Sequence, residues 1–94
     1  MYYALFYETA ADYLERRPMF RDRHLALARR EHEAGRLVLA GALKPSGALL
    51  VFDVPSAADV EAFAKADPYV LNGLVTAWRV KEWTVVIGGR PAEA

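Results

Sequence analysis

The chain has 94 residues, and its 12 Lys plus Arg are balanced by 12 Asp plus Glu, so the formal net charge is zero. That length suits one domain, and a neutral chain lacks the basic footprint with which nucleic-acid binders neutralise phosphates. It contains no cysteine, which excludes disulfides, thiolate metal sites and cysteine nucleophiles, and no apolar run approaches the ~20 residues of a membrane-spanning helix.

The composition is 54% hydrophobic. A domain this small buries a modest share of its surface, so this apolar content predicts burial against a partner, most simply a second copy. The start, MYYALFYE, has no basic region ahead of its apolar stretch, so a cytoplasmic chain is expected.

Tyr2 to Tyr7 is short, apolar and aromatic, which predicts a strand buried on both faces. A polar segment follows, with a helical turn expected over Asp12 to Arg17. Pro18 suits the first position of a longer helix, where its missing N–H costs nothing. That helix should run to about Glu33 and stop before Gly35.

Leu37 to Leu43 and Ala48 to Val54 are expected to pair as a hairpin of central strands. Pro45 and Gly47 stand where a type I turn over Lys44 to Gly47 would want them. Ser56, with Asp59 three residues on, resembles the start of a capping box. Val60, Phe63 and Ala64 then fall at helical spacing. Pro68 disfavours the helical conformation at Asp67, so this helix should end there. A further turn should span Tyr69 to Asn72, terminated by Gly73. Ala77 to Ile87 is the last extended stretch, and a parity change at Lys81-Glu82 predicts a bulge or two short strands. Residues 88 to 94 are expected to fray.

The order β-α-β-β-α-β predicts an α+β, ferredoxin-like sandwich: an antiparallel sheet with both helices on one face. Apolar residues at both strand parities leave the other face for a second subunit.

At about 100° per residue, Arg17, Arg21, His24 and Ala28 fall within roughly 60° of one another on the first helix. Phe20 and Leu27 adjoin them, so His24 marks the border between an apolar face and a basic stripe. Histidine is the side chain most readily tuned for proton transfer near neutral pH. Two neighbouring arginines suit a substrate carboxylate or phosphate. A histidine at such a border is more commonly structural, and arginines on an exposed helix are more commonly solvated.

Asp67 heads an apolar run, ADPYVLNGLV. It suits the N-cap of a helical turn, and it equally suits half of a proton-transfer pair. Tyr69 is a packing residue or one that lines a pocket with its hydroxyl. Gly41, inside an apolar strand, marks a bulge or a close approach to the backbone. His24 and His32 lie roughly 12 Å apart along a helix, too far to share a metal ion, and His32 is expected at the surface near the helix end. Glycine-rich phosphate loops, serine nucleophile elbows and HExxH motifs are absent.

Taken together, Arg17-x3-Arg21-x2-His24-Leu25, Gly35-Arg36-Leu37, Ala40-Gly41 and Ala66-Asp67-Pro68-Tyr69 with Gly73 resemble the YciI-like (YCII-related) family, from Tyr2 to about Val86. The resemblance implies a single domain over residues 1–88 with a tail at 89–94. It implies a homodimer of the dimeric α/β-barrel superfamily with facing sheets. It also implies an active site in which a helix histidine meets the aspartate of the Asp-Pro-Tyr segment, here His24 and Asp67. Arg17, Arg21, Tyr69 and Gly41 would contact substrate, and no metal or organic cofactor is required. The chain departs from the family at Ala42, where proline commonly follows the glycine, and in its short loop Lys44 to Gly47. Two functions follow. One is an enzyme that moves a proton on a small anionic or aromatic metabolite, as an isomerase or lyase. The other is a non-catalytic homodimeric ligand-binding or accessory module.

Overall fold

In a computed structural model that describes residues 1–90, the elements run β1 (Tyr2–Thr9), α1 (Tyr13–Glu33), β2 (Leu37–Ala42), β3 (Ala48–Asp53), α2 (Ala57–Ala66), α3 (Pro68–Leu71) and β4 (Val75–Trp83). The strands form one antiparallel sheet in the order β2-β3-β1-β4. The helices cover one face, giving the α+β ferredoxin-like sandwich that the element order predicts.

The alternation along β1 decides which side chains meet the helices. Tyr3, Leu5 and Tyr7 join the core with Leu50 and Phe52 of β3 and Val60, Phe63 and Ala64 of α2. Phe52 and Phe63 meet edge-on, with ring centroids 5.1 Å apart, a favoured aromatic geometry. The other parity of β1, Tyr2, Ala4 and Phe6, pairs across the sheet with Asp53, Val51 and Leu49. Paired residues share a face, so this set forms the sheet surface away from the helices. Ala4 and Val51 are buried there, while Tyr2 and Phe6 are half-buried.

Several boundaries differ from those expected. Pro18 lies at the sixth residue of one continuous helix, α1, rather than at the start of a second. It has no N–H for the Leu14 carbonyl, so the helix lacks one bond there, and twenty other residues keep the element together. No α1 residue is fully buried; Tyr13, Phe20, Leu27 and Ala28 pack against the core with one side each. The hairpin strands are not both central. β3 is interior, whereas β2 is a sheet edge and mostly exposed after Leu37.

The connection between β2 and β3 is not a type I turn. The Lys44–Pro45 bond is cis, Leu43 N–H donates to the Gly47 carbonyl, and Gly47 N–H goes to the Thr9 hydroxyl. β4 is continuous through Lys81-Glu82, and its register shift falls at the other end, between Glu8 and Thr9 of β1. At Gly41 there is no bulge, because the shift in the β2–β3 pairing lies between Leu37 and Leu39. At the C-terminal end, Arg90 is held by its guanidinium to the Gly35 carbonyl (2.7 Å) and by its N–H to the Tyr2 hydroxyl. The rest of the expected frayed tail lies outside the described residues.

The Asp67-Pro68 prediction holds. Asp67 has extended backbone (φ −68°, ψ 123°), ends α2 and starts α3. Gly73, with φ of 75°, closes that turn in the left-handed region that glycine enters freely. Among the described residues no helix is long and apolar enough to cross a membrane.

Candidate active site

Four elements converge on one carboxylate. Asp67, between α2 and α3, is completely buried. Its Oδ1 accepts from the Tyr69 backbone N–H at 3.0 Å, the N-cap bond of α3. Its Oδ2 accepts from the Tyr7 hydroxyl on β1 at 2.7 Å. His24 Nδ1, on α1, lies 2.8 Å from Oδ1 and 3.0 Å from Oδ2. So Asp67 is both helix cap and histidine partner. Burying an unpaired carboxylate would cost several kcal/mol, and these donors meet that cost.

The pairing fixes the imidazole. A carboxylate accepts, so Nδ1 carries the proton and Nε2 is the nitrogen left for other chemistry. Orientation is fixed as well. The ring stacks on Tyr69, with centroids 3.9 Å apart and planes within 8°. Tyr13 then meets Tyr69 edge-on at 5.7 Å and 85°. His24 is thus clamped in plane by hydrogen bonds and out of plane by an aromatic face.

A cavity of about 260 Å3 opens beside this pair. His24, Arg17 and Arg21 line it from α1, Tyr7 and Thr9 from β1, and Tyr69 from α3. The opposite wall is made of small residues: Ala40, Gly41, Ala42 and Ala48. A Cβ built on Gly41 would meet no atom within 4 Å, so open space surrounds this residue. A second recess shares Thr9, Tyr13, Arg17 and Ala42 with the first and extends along Lys44 to Gly47, so the short hairpin loop lines the approach. Among the described residues, Arg17 and Arg21 have no carboxylate partner. Arg17 lies 5.9 Å over the Tyr13 ring.

The tyrosines are held protonated. Burial pushes the Tyr7 hydroxyl far above its ordinary range, and the negative Asp67 to which it donates pushes the same way. Tyr69 is pushed up to about 12, first by burial and next by Tyr13, with Arg21 and Arg17 pulling it down. Its hydroxyl is buried and has no hydrogen-bond partner among the described residues.

All six residues singled out from the sequence therefore border one place. His24 and Asp67 touch, and Arg17, Arg21, Tyr69 and Gly41 line the cavity beside them. Sequence reasoning missed Tyr7 and Tyr13. Tyr7 shares the inward parity of Tyr3 and Leu5, but parity gives no hint that its hydroxyl meets Asp67. Tyr13 lies one turn before Arg17 on the same stripe, and starting the helix at Pro18 hid it. His32 is exposed, as expected, its Nδ1 bonds the Leu37 carbonyl at 2.8 Å, and it does not line the cavity. No group of three His, Cys, Asp or Glu among the described residues is placed to hold a metal ion.

The family model of the YCII-related domain matches residues 1–84. The chain belongs to the YCII-related family. It is 31% identical over 97 residues to Protein YciI of Escherichia coli O6:H1, covering 92% of this chain and 99% of that one. Protein YciI of Shigella flexneri matches to the same extent. Among solved structures, this YCII-related domain is similar to 5-chloro-2-hydroxyhydroquinone dehydrochlorinase from Burkholderia phenoliruptrix AC1100, in complex with 2,5-dihydroxybenzoquinone. The TM-score is 0.79 at 20% identity, over 89% of this chain and 94% of that one. At that identity the likeness is one of fold.

Proposed function

We propose that this protein is a small-molecule enzyme that moves a proton on a small anionic or aromatic metabolite, in an isomerase- or lyase-like reaction. The observation behind this reading is the 2.8 Å contact between His24 Nδ1 and Asp67 at the wall of a cavity that is also lined by two arginines without a carboxylate partner among the described residues. His24 Nε2 is the acid or base. Asp67 holds the imidazole in one tautomer and stabilises its charged form during the transfer. Arg17 and Arg21 bind an anionic group by charge-assisted hydrogen bonds. Tyr69 and Gly41 complete the wall, and the reading needs no metal or organic cofactor.

The size of the cavity supports the substrate class. An apolar cavity of about 150 Å3 already admits benzene, so 260 Å3 suits one substituted ring. The dehydrochlorinase of similar fold is named for a chlorinated, hydroxylated ring and holds a dihydroxybenzoquinone.

The same proposal includes a homodimer, built by a single domain over residues 1–88 in the cytoplasm. The sheet face away from the helices carries Leu39 on edge strand β2, 60% exposed and in register with Val51 and Ala4, and Trp83 on edge strand β4, 46% exposed and paired with Tyr2. A second copy would cover them.

A second reading, a non-catalytic homodimeric binding module, is favoured by one observation. Asp67 ties β1, α1 and α3 together whether or not a reaction follows. A turnover screen with small hydroxylated and carboxylated rings separates the two. The enzyme reading expects His24→Ala to abolish turnover while cooperative unfolding and the far-ultraviolet dichroism persist. Unchanged turnover in that variant would sink the assignment.

A further inference from the structure

The Tyr69 hydroxyl raises a question that proton transfer between His24 and substrate leaves open. Buried polar groups almost always have a hydrogen-bond partner, and one without calls for an explanation. Tyr69 is 3% exposed, and its hydroxyl has no partner among the described residues. By contrast, Tyr7 donates to Asp67, and Asp67 accepts from three donors.

Its neighbours suggest what the hydroxyl awaits. Tyr69 lines the cavity with Arg17 and Arg21, and both guanidinium charges act on its hydroxyl, opposing the rise caused by burial. The phenol stays protonated in the neutral range and therefore donates. The arginines only donate, so their side of the cavity presents donors and positive charge, with the Tyr69 hydroxyl enclosed beneath its surface. The group that satisfies them together is an oxygen acceptor carrying negative charge. The small wall of Ala40, Gly41, Ala42 and Ala48 leaves room for one planar ring in this 260 Å3 cavity.

We propose that the cavity is a receptor for a single-ring oxyanion, a phenolate or ring carboxylate, whose charged oxygen accepts from the Tyr69 hydroxyl and from Arg21 and Arg17. This rests on the reading of the same cavity as a substrate site. It goes further by making the Tyr69 hydroxyl a hydrogen-bond donor to the charged oxygen and by setting the protonation state of the ligand. A ring bound as the anion, with its charge neutralised at one end, presents its other positions to His24 Nε2.

The probe is 4-nitrophenol, whose ionised form is yellow and which titrates near neutral pH. Bound to the wild-type protein, it should be held as the yellow phenolate, with its apparent pKa lowered. Its methyl ether, 4-nitroanisole, which cannot ionise, should not compete. Tyr69→Phe should weaken phenolate binding roughly ten- to a hundredfold, the loss of one hydrogen bond to a charged group. Because that hydroxyl has no partner among the described residues, the same variant should unfold at a temperature equal to or above that of the wild type in the absence of ligand. Arg21→Gln should weaken phenolate binding and restore the pKa of the probe toward its free value.

Preferential binding of neutral nitrophenol, equal affinity in Tyr69→Phe, or no binding of either form would overturn the proposal. The failures are separable. A His24→Ala variant that binds phenolate normally while the wild type turns over no ring removes the enzyme reading and leaves the receptor. Turnover lost in His24→Ala but insensitive to Tyr69→Phe removes the receptor assignment and leaves the enzyme.

Discussion

Tyr7 and Asp67 stand 60 positions apart in the chain and 2.7 Å apart in the fold, hydroxyl to carboxylate, both buried. This bond makes the sheet a support for the candidate active site. β1 carries Tyr7 on its helix-facing parity, opposite Ala48 of β3, where the small partner leaves space for the cavity. Tyr7 holds one oxygen of the carboxylate, and the α3 backbone holds the other.

Replacing Tyr7 by Phe keeps the ring and removes this bond. A hydrogen bond to a charged group contributes ~1.5–3 kcal/mol, so Tyr7→Phe should lower stability by about 2 kcal/mol in urea denaturation. His24 keeps its contact with Asp67, so binding of a ring anion in the cavity should be little changed. A variant as stable as wild type would mean that the Tyr7 hydroxyl adds nothing net.

Asp67→Asn is isosteric but chemically wrong for its surroundings. Tyr7, His24 and the Tyr69 N–H all donate, and an amide offers them one oxygen and a competing NH2. The expected loss is about 3 kcal/mol, well beyond the ~1 kcal/mol of a lost helix cap. Nitrogen-15 shifts of the His24 ring should show Nδ1 protonated in the wild type and a mixed or reversed tautomer in the variant. A loss confined to ~1 kcal/mol with an unchanged tautomer would reduce Asp67 to its capping role.

The tyrosines set an alkaline limit. Burial is the main cause that pushes Tyr69 up to about 12 from the 10.0 of a free tyrosine, and Tyr7 is raised further. The folded state therefore holds protons that the unfolded chain releases above pH 10. Stability is full below that pH and falls as pH rises through the folded values. Urea midpoints should be flat from neutral pH to near 10 and drop beyond it. Tyr69→Phe should show a shallower drop, and an unchanged slope would contradict the burial of that hydroxyl.

The open sheet face predicts association. Leu39 on edge strand β2 is 60% exposed and pairs across the sheet with buried Val51. Leu39→Asp should convert a dimer to a monomer in light-scattering chromatography, since an unpaired charge in an apolar interface is strongly unfavourable. A wild-type protein that is monomeric at all concentrations would remove the proposed dimer.

Patterns of short range were the readable ones. The elements, their order, the cap at Asp67 and the stop at Gly73 follow from periodicity and from the local conformational limits of proline and glycine. The basic stripe of α1 was legible for the same reason, because residues three and four apart share a helix face whatever the fold. The start of α1 was not. Pro18 is favoured in a first turn, and the packing of Tyr13 against the core carries the helix past that preference. The turn at Lys44 to Gly47 also escaped, because Gly47 bonds to Thr9 on a different strand. A four-residue window holds no sign of that contact.

The resemblance of the Asp-Pro-Tyr segment and the α1 histidine to the YCII-related pattern pointed at two residues, and the fold brings them into contact. Residue identity and spacing determined that His24 and the two arginines share a face, and that Asp67 begins a helical turn. Only the tertiary structure decided that Asp67 serves both roles, that Tyr7 is its third support, and that the Tyr69 hydroxyl has no partner among the described residues. Spacing along the chain governs contacts within one helix or strand. The donors of a buried carboxylate are chosen by the packing of separate elements, and no local pattern records that choice.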